Sequence, residues 1–240
     1  QIFAAREAVF KILAKESLSI HEKLIVILDM GSKIQQCINT DEYDNIKSVV
    51  NDYLKEGIAH TLDETRNLSD SGQFEDISLQ QGIRQILYPY EEMEVLNPEW
   101  EVILKDIIDS LFEQMSDEEY NILNEEFGTY MVSRAYEYRQ LLEYLVFRYF
   151  AKSIYDYDFL GKCQMLVTNF FVIRQMDIIR WLDNHREYSF KDRMDVVHIF
   201  SRQVEYSEDN IENLYEDFIF DDIFKTDSLI AILWIDSENI

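Results

Sequence analysis

The chain has 240 residues, 47% of them hydrophobic and 14% aromatic, a formal net charge of −25, and only six glycines and two prolines. That much apolar material rules out a disordered chain, and so few turn-forming residues argue against an all-β or doubly wound fold. The negative field opposes nucleic acid and anionic membranes as partners, and no apolar run reaches the ~20 residues of a membrane span.

The periodicity predicts helices almost throughout. "IFAAREAVFKILAKE" places Ile2, Phe3, Ala5, Val9, Ile12 and Leu13 at helical spacing. Ser19 with Glu22 forms a capping box that starts a second helix. A third follows the acidic cap "TDEYDN", through Ile46, Val49, Val50 and Leu54 to Gly57. Residues 61–75, "TLDETRNLSDSGQFE", are polar and weakly periodic, the expected place for a flexible loop. A helix in "ISLQQGIRQILYPY" is expected to stop near Pro89, and Asn97 with Pro98 caps the next. Ser116 caps another, with acidic residues in its first turn where the helix dipole favours them.

In the second half, residues 130–155 and 158–184 each read as one long helix. Ser189 opens "FKDRMDVVHIFSRQVEYS", and "SEDNIENLYEDFIF" and "DSLIAILWID" complete the chain. The expected fold is all-α, a bundle of roughly eight to eleven helices at ordinary helix lengths. We expect one domain over residues 1–240, and a first residue Gln1 rather than Met suggests that the chain begins inside a longer product.

Few residues carry obvious chemistry. The glycines at 31, 57, 72, 82, 128 and 161 form no nucleotide-binding turn, and the four histidines never pair at ligand spacing, so no metal site is expected. Cys37 and Cys163 stand apart on apolar stretches, as small buried hydrophobes in a reducing, cytoplasmic setting do. Aromatic residues crowd the stretch from Tyr130 to Phe159, including Tyr144 and Tyr155, which suggests a semi-polar pocket or a wet interface. Arg148 lies four residues after Tyr144, on the same helical face. In "RQVEYSEDNIENL", Arg202, Glu205, Tyr206 and Asp209 recur at steps of three and four, one face of a single helix. That face is either solvated and ion-paired or one wall of a site.

The order "LLEYLVFRYFAKSIYDYDFLGK", then "RWLDN", then "FSRQVEYSEDNIENL" resembles the C-terminal helical region of the bacterial flagellin lysine-N-methylase family, and "ILAKESLSIHEKLIVILDM" resembles the segment before it. The resemblance covers most of the chain. It implies transfer of methyl groups from S-adenosylmethionine to lysines of flagellin, with flagellin or another lysine-rich protein as partner. Tyr144, Arg148, Tyr155, Arg202 and Glu205 are the candidate site or docking residues. Two features depart from the family. Its cysteine-rich motif, implicated in holding an iron–sulfur cluster, is absent from these 240 residues. Tyr206 stands where members often have histidine, and tyrosine does not act as a base near neutral pH without a strongly shifted pKa. The alternative is a non-enzymatic interaction module with an acidic surface and an aromatic groove.

Overall fold

The computed structural model describes residues 1–70 and 77–238. It is 86% helical, with ten helices and no strand among the described residues when helices continuing through a 3-10 or π turn are counted as one. In chain order the α-helical segments are α1 (Ile2–Leu13), α2 (Ile20–Asn39), α3 (Ile46–Asp52), α4 (Ile58–Asp70), α5 (Leu79–Glu91), α6 (Pro98–Ile107) and α7 (Asp117–Met131). The others are α8 (Ala135–Tyr149), α9 (Ser153–Asp156), α10 (Phe159–Asp183), α11 (Phe190–Phe200), α12 (Glu208–Phe220) and α13 (Thr226–Glu238). Their contacts gather into two compact units, one of residues 1–70, 131–167 and 226–238, the other of residues 77–130 and 168–225.

The first unit is built around α2. Leu24 to Leu28 are all fully buried, so this helix is apolar around its circumference rather than along one stripe. It packs against α1, α3, α4, α8 and α13. Its start is fixed by the capping box, with the Ser19 hydroxyl accepting from Glu22 N and the Glu22 carboxylate accepting from Ser19 N. At its other end Asp41 adopts a left-handed conformation (φ 57°), and Glu42 N donates to Cys37 O, which closes the helix as glycine commonly does.

Residues 61–70 of the expected loop belong to α4, and 71–75 lie outside the described residues. Threonines hide the helical period there. Thr61 and Thr65 are buried one turn apart; Thr61 donates to Asp29 at 2.8 Å, and Thr65 accepts from Trp234 Nε1 at 3.1 Å. Residues 130–155 are also not one uniform α-helix. They pass through 3-10 turns at Val132–Arg134 and Phe150–Lys152. Helix α5 runs two residues past Pro89 before it ends.

In the second unit α5, α6, α7, α11 and α12 accompany residues 168–183 of α10. Phe127, Phe170, Phe171 and Phe200 are almost fully buried, and Phe127 meets Trp181 at 5.5 Å between ring centroids. No helix among the described residues is long and apolar enough to cross a membrane.

Candidate functional site

The five expected site residues divide between the two units. Tyr144, Arg148 and Tyr155 belong to the first, and Arg202 and Glu205 to the second. Tyr144 and Arg148 share the outward face of α8, as their spacing implies. The Arg148 guanidinium lies 5.5 Å from the Tyr149 ring centroid and its Nε donates to the Tyr149 hydroxyl at 3.1 Å. Tyr155 is the most exposed large hydrophobic residue among the described residues, at 84%. The aromatic cluster thus separates into an inner set, with Tyr138, Tyr149, Phe150 and Phe159 buried, and an outer set of Tyr136, Tyr144, Phe147, Tyr155 and Tyr157.

The stretch from Arg202 to Leu214 is not a single helix. Residues Ser201–Glu205 form a π turn continuing α11, Tyr206 leaves the helix, and Ser207 caps α12 by accepting from Asn210 N at 3.1 Å. Arg202 points to solvent while Glu205 is buried, so the two do not form a shared exposed face. The wider turn has a consequence the spacing did not announce, because it aims Gln203 inward. Gln203 Oε1 accepts from Leu96 N at 2.9 Å and Asn97 N at 3.2 Å, while its Nε2 donates to Glu94 O at 2.6 Å. Asn210 Nδ2 also donates to Glu94 O, at 3.0 Å. Two buried amides therefore hold the connection that leads into α6.

That grip positions one wall of a cleft. Glu99, Val102, Ile103 and Asp106 come from α6; Ile179, Arg180 and Asp183 from α10; and Ile199 from α11. The cleft has a volume of about 270 Å³. Its third wall, α11, is tied to α10 by Asp177, a fully buried carboxylate that meets Arg193 Nη1 at 2.5 Å and accepts from the Tyr188 hydroxyl. On the same helix Arg174 donates to Asn124 O at 3.2 Å, Tyr120 donates to Gln175 at 2.9 Å, and Tyr90 donates to Asn169 at 2.7 Å. Burial raises the pKa of the Tyr90 phenol, so it stays a donor.

The cleft pairs an apolar floor with carboxylates. Ile103, Ile179 and Ile199 are buried beneath Glu99, Asp106 and Asp183, which are exposed. A lysine side chain fits that order of surfaces, its methylenes on the isoleucines and its ammonium at the rim. Each exposed ion pair contributes at most about 1 kcal/mol, and half-burying four methylenes about 1–2 kcal/mol more. Such binding is weak and reversible. Among the described residues Arg180 is the one basic residue of the lining. Nearby, although burial opposes it, hydrogen bonds from Ser189 and Asn184 and the charge of Arg180 lower the Asp192 pKa.

Sequence reasoning passed over this cleft, although half of it was visible. Glu99, Val102, Ile103 and Asp106 fall at i, i+3, i+4 and i+7, which puts two acids at the ends of an apolar helical face. What no spacing shows is that α10 and α11 complete it.

Other chemistry is limited. Cys37 and Cys163 are both free and buried. Burial pushes the Cys163 thiol well up, so its thiolate is disfavoured. An iron–sulfur cluster needs about four thiolate or imidazole ligands, and these two cysteines do not fit that requirement. Among the described residues no group of three or more His, Cys, Asp or Glu is placed to hold a metal ion.

No curated protein and no solved structure matches the chain. The FliB lysine N-methylase C-terminal domain family, by contrast, matches residues 6–232, a span that covers the second unit's described residues, most of the first unit and every residue of the cleft. The chain belongs to that family, and is related through it to the flagellin lysine N-methylases.

Proposed function

We propose that the chain is the helical region of a protein that transfers methyl groups from S-adenosylmethionine to lysine side chains of flagellin, and that its part is to receive the substrate lysine. The observation that carries this reading is the family match over 6–232. The cleft of the second unit supports it, because its isoleucine floor and carboxylate rim suit a lysine's stem and ammonium. The net charge of −25 supports it as well, by drawing basic segments toward the surface.

The reading assigns the methyl donor to no residue of these helices. The cleft's volume of about 270 Å³ is below the roughly 300–1,000 Å³ of small-molecule sites, and it suits a single side chain better than a nucleoside with an amino-acid arm. The cellular setting implied by methylation of flagellin before export is the cytoplasm.

The test is the intact mass of flagellin co-expressed with this chain or with the coding sequence it comes from. Methylation that needs the longer product supports a substrate-binding role for these helices. Methylation by the 240 residues alone supports the reaction and extends the role of the helices to the donor. Unmodified flagellin in both cases, with all proteins soluble, overturns the reading. The exposed aromatic face of α8, with Tyr136, Tyr144 and Phe147, then favours the interaction module.

A further inference from the structure

The first unit has a cleft of different character. It holds about 310 Å³ and is lined by Ile2, Phe3, Ile38, Tyr43, Ile154 and Tyr157, with Gln1 and Ser153 completing it. No lining side chain is basic. Carboxylates stand beside it: Asp44 accepts from Gln1 Nε2 at 2.9 Å, and Asp41 acts on the Tyr43 phenol, whose pKa is raised by desolvation first, then by Asp41 and by Tyr157. Three aromatic rings and isoleucines with two aspartates beside them form a surface for a cation that carries apolar groups.

The backbone at Tyr157 makes this more than a gap between helices. Tyr157 ends α9 in the left-handed region, at φ 57° and ψ 19°, where a bulky side chain is disfavoured and glycine is the ordinary choice. The strain is not offset by burying the ring, which is 58% exposed. Instead the turn is clamped from α2. Gln35 Nε2 donates to Tyr157 O at 2.9 Å, and its Oε1 accepts from Phe159 N at 2.8 Å and Leu160 N at 3.1 Å. The chain spends a side-chain clamp and an unfavourable conformation to hold an exposed ring beside the cleft. Strain of that kind persists where the surroundings over-determine it, and it concentrates at ligand clamps.

We propose that the cleft of Phe3, Tyr43 and Tyr157 binds a methylated lysine of a partner protein. An unmodified ammonium needs about three hydrogen-bond acceptors when it leaves water. The lining's side-chain acceptors are one amide and three hydroxyls, the Ser153 hydroxyl also donating to Asp158 O at 3.2 Å, set among rings and isoleucines rather than grouped as carboxylates. Methylation removes that need, spreads the charge over apolar surface and matches aromatic faces, while the neighbouring aspartates complement the remaining charge.

The site is separate from the lysine cleft of the second unit, and its test uses a synthetic peptide, so it stands or falls apart from methyl transfer by these helices. The 240-residue chain is titrated with one lysine peptide in unmodified, monomethyl, dimethyl and trimethyl forms, followed by calorimetry or by shifts of tyrosine ring resonances. The trimethyl form is expected to bind about tenfold more tightly than the unmodified one. Tyr157→Gly, which relieves the left-handed strain, and Phe3→Ala, a surface change, are each expected to abolish that preference. Tyr43→Phe, which keeps the ring, is expected to preserve it. Equal affinity for all forms, no binding at millimolar peptide, or a preference that survives both Tyr157→Gly and Phe3→Ala overturns the proposal.

Discussion

The two units bury polar groups for different ends. In the first, polar contacts surround an apolar centre: His21 meets Asp236 at 2.7 Å, Asp29 accepts from Tyr53 and Thr61, and Thr65 accepts from Trp234. In the second, they set the walls of a cleft, with Asp177 holding α11 through Arg193 and Gln203 holding the entrance to α6. These core contacts of the first unit fix helices to one another. Asp177 and Gln203 in the second fix the walls of the cleft that we propose receives a lysine. The difference predicts where stability and binding separate.

The largest effect is expected at Asp177. Asp177→Ala takes the carboxylate away from a buried guanidinium and should lower unfolding free energy by about 3–5 kcal/mol, measured by denaturant titration. Leu24→Ala in the first unit should cost a similar amount, about 2–5 kcal/mol, by opening a cavity against α2. The two should part in a second assay. Under conditions where both remain folded, Asp177→Ala should lose affinity for a lysine peptide and Leu24→Ala should keep it. If both keep it, the wall-setting role of Asp177 is wrong.

A smaller effect, about 1–3 kcal/mol, is expected for Gln203→Ala, which removes the acceptor of the backbone N–H groups at 96 and 97 and one of the two donors to Glu94 O. Protection of the amides at 96 and 97 against hydrogen exchange should fall with it, and unchanged protection would contradict the grip on α6.

Asp192→Asn tests the start of α11 and should cost about 0.5–1 kcal/mol at neutral pH, since it removes the charged half of a capping box near a helix N-terminus. The sign with pH follows from a lowered folded pKa. Its stabilisation is complete above the unfolded carboxylate value and is lost as pH falls through the folded one, so wild type and variant should begin to converge only below about pH 4 and coincide below the folded value. The smallest effect belongs to Arg202→Ala, exposed on the π turn, which should change stability by less than about 0.5 kcal/mol.

Much of this fold was legible before any coordinates. The caps at Ser19, Asn97, Ser116 and Ser189 all form, because a cap is a local bargain between one hydroxyl or amide and the free N–H groups of a helix start. The buried, unpaired state of Cys37 and Cys163 also follows their apolar settings. The failures share a physical cause. Thr61 and Thr65 present a helical face without aliphatic residues, so α4 read as loop. The π turn at Ser201–Glu205 shifts every later side chain, so Arg202 and Glu205 part company although their spacing fits one face. The carboxylates of the cleft could be found on α6 alone, but their meaning depends on helices far away in sequence. Tyr157 gave no signal at all, since nothing in "SIYDYDF" announces a left-handed tyrosine.

The central claim is that the second unit's acidic cleft receives the lysine that is methylated. Its most direct test compares flagellin's intact mass after co-expression with this chain, or with the coding sequence it comes from, whichever methylates flagellin, either wild type or carrying Glu99→Gln and Asp106→Asn. Both changes lie at the exposed rim and should leave folding intact. The account predicts methylated flagellin with wild type and a marked loss with the double variant. Equal methylation by the two, at equal expression, would contradict it.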